Sequence, residues 1–355
     1  MKGSLLCILL VALASGICSA WISSLWDGQE DAYITCAYAK HIAQGRGFVA
    51  SVGAKPSLGT TTPLFTLLLA VASFADLKRH IATMWIGVVC HGLIAALLVL
   101  LARKFMNKWL ALMAGIYWGV SLAIFFRLGG METPVQILLI LLLALFEVHS
   151  QASKISAVIL GLLLLCRPDS LLIVAVIFAF WLFSSKARPF ILRNLLIIAL
   201  ITMPWIIYAL QTFGTIIPSS LISKFTIRQS GIINVESFVD EYFPFVNVLP
   251  FIFAICILGA VNLWRESHKF RPFLVWIPIY YVSFWLGNAP DFAWYYVPPL
   301  VFVPVILNRG LMTLAEQIPT ARRSVAMPAL VLITTAIWIN ANLVSTQGLR
   351  DSPHP

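Results

Sequence analysis

Charged side chains and paired cysteines are both scarce in this sequence of 355 residues. Only 11% of the residues are charged, whereas 60% are hydrophobic. A chain of this composition cannot hide its apolar surface in one water-soluble core and must use lipid as a solvent, which excludes a soluble enzyme. The six cysteines form no Cys-x-x-Cys pair. We therefore expect neither a disulfide framework nor a cysteine metal site.

The charge that is present is mainly basic, because 24 Lys and Arg residues outnumber 14 Asp and Glu residues and give a formal charge of +10. In a soluble protein this excess would suggest a nucleic-acid partner, but in a membrane protein it reflects basic cytoplasmic loops. We expect no nucleic-acid partner. Residues 1–20 imitate a secretory signal, and their cleavage or retention leaves the following loop on the outer side in either case.

Apolar runs that reach or approach the length of a bilayer crossing recur along the whole chain. They lie at 5–22, 81–102, 109–127, 133–148, 154–166, 169–184, 191–210, 245–263, 272–287, 294–308 and 325–342. The pattern predicts an all-α, polytopic bundle of about eleven transmembrane helices. We expect one membrane domain over 1–355 without a separate C-terminal soluble domain. A shorter run, 63–75, fits either a crossing or a re-entrant segment.

The distribution of charge decides between these two placements of 63–75. With this run re-entrant, one face of the bundle collects most of the Lys and Arg residues and the other collects most of the acids. The basic face is cytoplasmic by the positive-inside rule. The predicted cytoplasmic loops are 103–108, 186–193, 265–271 and 309–323, and the predicted external ones are 23–80, 128–132, 211–243 and 288–293.

The two longest external loops, 23–80 and 211–243, are the first places to search for function, because function on membrane scaffolds concentrates in such loops. In the first loop, Glu30 and Asp31 precede apolar residues that repeat at helical spacing over 34–42. This pattern predicts an amphipathic helix on the membrane surface. The acidic pair either presents a carboxylate at the water–lipid boundary or caps that helix at its N-terminus.

Further polar motifs occur where the predicted helices reach the same external face. They are Gly59–Leu64, Gly130–Thr133, Arg167–Asp169, Phe213–Pro218 with Lys224, and Trp294–Tyr296. Charged residues at membrane depth are expensive and tend to be functional. The charged residues of these motifs stand at helix ends, however, so snorkelling or mutual ion pairing explains them equally well.

In these motifs the chain resembles the GT-C superfamily of membrane glycosyltransferases, and in particular the branch that includes mycobacterial terminal arabinofuranosyltransferases. The branch begins with Asp-Asp-Ala-Tyr/Phe-Ile and Gly-x-Gly-Phe, which here read Glu30–Ile34 and Gly45–Phe48. Its later elements correspond to Gly59–Leu64 with Thr62 in place of the usual serine, to Gly130–Thr133, Arg167–Asp169 and Phe213–Lys224, and to Trp294 with Tyr295. Together these elements cover residues 30–296 in the family's order.

The resemblance implies an enzyme that moves a sugar from a polyprenyl-phosphate donor to an acceptor hydroxyl of a glycan, lipid or protein. It places the reaction on the periplasmic side of the inner membrane, in cell-envelope glycan assembly. Glu30 or Asp31 would be the catalytic base, with Glu30 at the position of the family's acid. The residues expected to bind the donor phosphate are Lys224, Arg127 and Arg167. Those expected to bind substrate are Thr61, Thr62, Glu132, Asp169 and Tyr295.

The sequence alone decides neither whether the protein needs a metal ion nor whether it is an enzyme, a transporter or a scaffold. Some members of the superfamily use a divalent cation such as Mg or Mn and others do not, and no spacing of the acids here shows that they converge on one. The main alternative function is a secondary transporter or lipid-linked-sugar flippase. Such proteins often have internal repeats, and the chain has no second copy of the Glu30–Asp31 region. A non-catalytic scaffold subunit is a third reading, in which the acidic pair would be freely replaceable.

The predicted topology is tested by a cysteine placed at Asn107, in a loop that we expect to be cytoplasmic. In intact cells an impermeant thiol reagent should leave this cysteine unmodified, and it should modify a cysteine placed at Val52 in the first external loop. Labelling at Asn107 in intact cells would overturn the assignment of the two faces.

Overall fold

The computed structural model describes residues 2–24, 30–74, 79–121, 129–219, 249–287 and 293–319, and 328–338 apart from residues 330, 333 and 337. These residues form helices and connecting turns with no strand, so the prediction of an all-α chain is confirmed for them. Among them, four helical segments are long and apolar enough to cross a bilayer: Leu5–Ser23, Ile81–Ala102, Arg188–Phe213 and Trp294–Glu316, the last with a two-residue turn at 301–302. The chain is therefore a membrane protein, whereas the number of about eleven crossings stays a prediction.

The helices of the described ranges are numbered here in chain order. They are α1 Lys2–Ser23, α2 Glu30–Ala43, α3 Pro63–Phe74, α4 Arg79–Ala102, α5 Lys108–Gly119, α6 Thr133–His149, α7 Lys154–Cys166, α8 Ser170–Phe183, α9 Ile191–Phe213, α10 Leu249–Glu266, α11 Arg271–Leu286, α12 Ala293–Leu300 and α13 Val303–Glu316. A 3-10 turn, Arg188–Phe190, precedes α9. Most bounds fall within a few residues of the predicted apolar runs.

Local sequence explains where several of these helices begin. The side-chain oxygen of Asn107 accepts hydrogen bonds from two backbone N–H groups in the first turn of α5, both at 3.1 Å. Ser153 caps α7 in the same way, because its hydroxyl accepts from the N–H of Ser156 at 3.0 Å. α3 begins at Pro63, at a position where the missing proline N–H costs nothing. These caps satisfy donors that the first turn of a helix leaves without partners.

One predicted boundary is corrected by the structure. The run 294–308 forms two helices, because α12 ends just after two consecutive prolines, which disfavour helix continuation. α13 then continues to Glu316, so the first half of the loop predicted at 309–323 is helical. The charged side chain of Arg309 does not end the helix, because it is buried and pairs with Glu266 on α10.

The bundle is built around α4, which packs against α1, α5 and α6. α6 packs against α7, α7 against α8 and α9, α8 against α11, and α13 against α5 and α10. A continuous apolar core includes the fully buried Trp118, Trp181 and Trp276. α1 and α9 instead expose many leucine and isoleucine side chains, as expected for helices that face lipid.

The short turn between α6 and α7 is fixed by buried polar groups at one end of the bundle. The carboxylate of Glu147 accepts from the backbone N–H of Ala152 at 3.1 Å and from the indole N–H of Trp181 at 2.9 Å. The side-chain amide of Asn194 donates to the carbonyl of Ala152 at 3.0 Å. At 1.5 Å per residue, this end of α6 lies roughly 20 Å from its first residue, Thr133.

α10 and α13 approach each other at two glycines, Gly259 and Gly310. A Cβ atom added to Gly310 would overlap the carbonyl oxygen of Ile255, and one added to Gly259 would overlap the carbonyl oxygen of Ile306. Packing of small residues of this kind lets membrane helices come into close backbone contact. The crossing therefore depends on the absence of side chains at both positions.

Gly310→Ala should lower the thermal unfolding midpoint of the purified protein in detergent, because overpacking of a close contact costs about 1–3 kcal/mol. Gly16→Ala in α1 is the matched control, since its added Cβ would meet no atom nearer than 3.9 Å. Alanine is also the better helix former there, by up to about 1 kcal/mol. Equal midpoints for the two variants would contradict the close α10–α13 crossing.

Candidate active site

A buried arginine, Arg167, lies at the centre of a polar group at the opposite end of α6 from Glu147. Its Nη1 donates to the carboxylate of Glu132 at 2.7 Å and to the hydroxyl of Thr133 at 2.9 Å. Its Nε donates to the carboxylate of Asp169 at 3.1 Å. The guanidinium therefore joins two carboxylates, at positions 132 and 169, that are far apart in the sequence. Glu132, Arg167 and Asp169 are called the Arg167 cluster below.

Helix connectivity places these three residues together. α6 and α7 are antiparallel neighbours joined by a short turn, so the start of α6 and the end of α7 lie at the same end of the bundle. Glu132 directly precedes α6, and Arg167–Asp169 forms the turn from α7 into α8. Neither carboxylate caps the helix that follows it. Both are turned instead toward Arg167.

Two residues that the sequence analysis missed complete the coordination of Asp169. The amide Nε2 of Gln136 donates to its Oδ1 at 2.9 Å, and the hydroxyl of Tyr280 donates to its Oδ2 at 2.7 Å. These bonds link α6, the α7–α8 turn and α11. Gln136 follows Glu132 by four residues and so shares its helix face, which is the one sequence signal that pointed to it. Tyr280 lies inside an apolar run and carried no such signal.

An aromatic wall closes one side of the Arg167 cluster. The guanidinium carbon of Arg167 lies 5.3 Å from the ring centroid of Tyr295 on α12, within the range of a cation–π interaction. Phe284 on α11 lies between the rings of Tyr280 and Tyr295, with centroid distances of 4.7 and 5.2 Å. The late Trp-Tyr element of the sequence thus meets the Arg-Pro-Asp element in space.

The electrostatics of the Arg167 cluster are set by one cation against two carboxylates. Burial by itself disfavours the guanidinium charge, but Asp169 and Glu132 outweigh it and raise the pKa of Arg167. Among the described residues, the charge of Arg167 is thus already matched by two bonded carboxylates.

The predicted acidic pair lies at the start of α2, close to this region. Glu30 and Asp31 are the first two residues of the helix, where the helix dipole favours negative charge. Asp31 is half-buried, and the side chain of Glu30 lies outside the described part of the structure. A Cβ added to Gly130 would lie 2.9 Å from the Cβ of Ala32. The first turn of α2 therefore touches the loop that leads into Glu132.

The threonine element forms a buried group of hydroxyls at the start of α3. The hydroxyl oxygens of Thr60 and Thr62 are 3.2 Å apart, and those of Thr60 and Thr66 are 3.3 Å apart. Thr66 also donates to the carbonyl of Thr62 at 2.9 Å. Thr61 is half-buried. These bonds shape the N-terminal turn of α3, and substrate binding by Thr61 and Thr62 stays a prediction.

The second large loop begins against the first one. Ser219 donates to the carbonyl of Leu58 through both its backbone N–H, at 2.9 Å, and its hydroxyl, at 3.1 Å. Phe48 packs against an aromatic group on α9, formed by Trp205, Tyr208 and Phe213. Two of the predicted phosphate-binding residues, Arg127 and Lys224, lie outside the described residues.

Glu132 and Asp169 are poor ligands for a divalent cation in this arrangement. In the part of the chain that the structure describes, no group of three or more His, Cys, Asp or Glu side chains is arranged to hold a metal ion. Glu132 and Asp169 are both bonded to Arg167, whose positive charge would repel a cation at that point.

No protein-family model matches the chain, and no curated protein sequence matches it. Its fold is nevertheless similar to that of the Archaeoglobus fulgidus oligosaccharyltransferase. The structure with Zn and sulfate gives a TM-score of 0.62 at 15% identity, over 94% of this chain and 52% of that one. The structure with a tethered acceptor peptide gives 0.62 at 13%, over 95% and 54%. The complex with an inhibitory peptide and a dolichol-phosphate gives 0.61 at 13%, over 96% and 55%.

The chain thus spans about half the length of the solved structures that it matches. At these identities the likeness shows the fold alone. Membership of the GT-C superfamily, and of its arabinofuranosyltransferase branch, therefore stays a prediction.

Gly130→Ala tests the contact between α2 and the loop before α6. Gly130 has a φ of 78° and Gly53 has a φ of 79°, so alanine at either position costs about 1 kcal/mol of backbone strain. A Cβ at Gly53 meets nothing within 4 Å, which makes Gly53→Ala the matched control. Because of the added clash with Ala32, we expect Gly130→Ala to lose about 1–3 kcal/mol more. Thermal unfolding in detergent measures the difference, and equal losses would show that α2 does not pack there.

Proposed function

We propose that this chain is a membrane glycosyltransferase that moves a sugar from a polyprenyl-phosphate donor to an acceptor hydroxyl. The reaction takes place on the extracytoplasmic side of the inner membrane and serves cell-envelope glycan assembly. The observation that carries the proposal is the meeting of predicted motifs at one end of a bundle with an oligosaccharyltransferase fold. There the start of α2 touches the Gly130 loop, and Glu132 bonds to Arg167.

The solved structures with this fold support a lipid-linked donor. One of them contains a dolichol-phosphate, which is a prenyl chain ending in a phosphate, and another carries an acceptor peptide. Those ligands belong to the oligosaccharyltransferase. They support the same two classes of partner here, a polyprenyl-phosphate sugar and an acceptor that is a glycan, lipid or protein.

The chemistry requires a base for the acceptor and positive charge for the leaving group. The acceptor oxygen attacks the anomeric carbon while its proton passes to a carboxylate. The bond from the anomeric carbon to the phosphate oxygen breaks, and the polyprenyl phosphate leaves with the electron pair. Glu30, or else Asp31, is the proposed base. Lys224 and Arg127 are the proposed cations that offset the developing charge on the phosphate.

Glu30→Gln and Asp31→Asn test the base, because each exchange nearly preserves shape while removing proton-accepting capacity. Loss of an acid–base contribution should lower turnover by ~10²–10⁴-fold. The measurement is transfer from a radiolabelled polyprenyl-phosphate sugar in membranes, with the amount of protein checked by blot.

Glu316→Gln is the control for these exchanges, since this exposed acid lies 3.9 Å from Arg309, which keeps its ion pair with Glu266. Glu316 ends α13, and transfer should stay close to that of the parent. If both single variants and the double variant keep more than about a tenth of the parental rate, well above the expected loss, the pair is a helix cap. The catalytic carboxylate must then be sought at Glu132 or Asp169.

A further inference from the structure

One nitrogen of the Arg167 guanidinium, Nη2, has no hydrogen-bond partner among the described residues. Its Nε and Nη1 are held by Asp169, Glu132 and Thr133. A guanidinium offers its donors in a rigid, planar fork. With the other nitrogens fixed by the two carboxylates, the direction of Nη2 is fixed as well, so Arg167 presents a preoriented donor.

Gln136 supplies the complementary group. It is fully buried, and its Oε1 has no partner in the part of the chain that the structure describes. The orientation of the amide follows from chemistry, because Nε2 faces the Asp169 carboxylate, which can only accept a hydrogen bond. A buried acceptor without a partner is rare. It points to a ligand or water that donates a hydrogen bond.

Gln136 and Arg167 are neighbours, because both donate to the same oxygen, Oδ1 of Asp169. The remaining acceptor and the remaining donor together fit a hydroxyl group, which both donates and accepts hydrogen bonds. An ionised phosphate only accepts them and cannot satisfy the oxygen of Gln136. We infer that the Arg167 cluster and Gln136 bind neutral hydroxyl groups, either of the donor's sugar or of the acceptor, and do not bind the donor phosphate.

This inference rests on the proposed function and changes the role of two residues. Arg167, expected from the sequence to hold the phosphate, becomes a hydroxyl-binding residue. Asp169 becomes a positioning residue, because its oxygens are taken up by Arg167, Gln136 and Tyr280. Tyr280 in turn positions Asp169. The phosphate is left to Lys224 and Arg127.

Asp169→Asn is the variant that separates hydroxyl binding from phosphate binding. It keeps the shape of the side chain but removes its charge, so the guanidinium is less firmly oriented and less fully matched. Two kinds of ligand are titrated against the purified protein in detergent. One is bare polyprenyl phosphate, and the other is a panel of polyprenyl-phosphate monosaccharides. Acceptor KM is measured in the transfer assay at saturating donor. Tyr280→Phe, which removes only a hydroxyl, is the second variant, and Glu316→Gln is the control.

We expect Asp169→Asn to weaken either sugar-lipid binding or acceptor KM by about tenfold or more, as loss of a charge-assisted hydrogen bond does. The affected measurement identifies whether the hydroxyls belong to the donor's sugar or to the acceptor. Affinity for the bare polyprenyl phosphate should stay within about threefold of the parent, because that lipid lacks the sugar. Tyr280→Phe should change the same measurement in the same direction, by a smaller factor.

Either of two results would overturn the inference. A change of about tenfold in affinity for the bare lipid, in either direction, would place Arg167 on the phosphate. Unchanged sugar-lipid affinity and acceptor KM in both variants, with parental unfolding midpoints, would make the cluster a structural ion pair. A failure of the proposed function is recognised separately, since the parent protein would then bind no polyprenyl-phosphate lipid and transfer no sugar.

Discussion

The buried ion pairs of Arg167 with Glu132 and Asp169 are the contacts on which the geometry of the candidate site depends. They connect the start of α6 to the α7–α8 turn, and Tyr280 extends the connection to α11. Removing one partner of a buried pair leaves an uncompensated charge, which typically costs about 3–5 kcal/mol. These elements are therefore held as one rigid group, and α2 packs against it through Gly130.

A rigid, nearly neutralised arginine suits a different task from a phosphate clamp. A clamp needs cations whose charge is not already matched, since its purpose is to offset charge that develops on the leaving group. The Arg167 cluster instead offers fixed hydrogen-bonding groups in a buried setting, where a missing partner is costly and selectivity is correspondingly high. In the proposed reaction, recognition falls to α6–α8 and charge stabilisation to Lys224 and Arg127.

Apolar patterning predicted most of the described helices, because lipid requires long hydrophobic runs that end at charged or turn residues. It failed at Arg309. The charge of this residue predicted a loop, but its ion pair with Glu266 lets it lie within a helix. Motifs predicted that Glu132, Arg167 and Tyr295 belong together. Gln136 and Tyr280 were missed because single polar residues in apolar runs reveal their role only when a distant partner, here Asp169, is known.

The central claim, sugar transfer as opposed to lipid movement, is tested most directly with purified protein in detergent, where no membrane separates two sides. The protein is incubated with radiolabelled polyprenyl-phosphate sugars and a cell-envelope extract as the source of acceptors. The account predicts that the label moves to an acceptor and that polyprenyl phosphate is released. A donor that stays intact in detergent, while the same protein moves it across the bilayer of proteoliposomes, would contradict the account and identify a flippase.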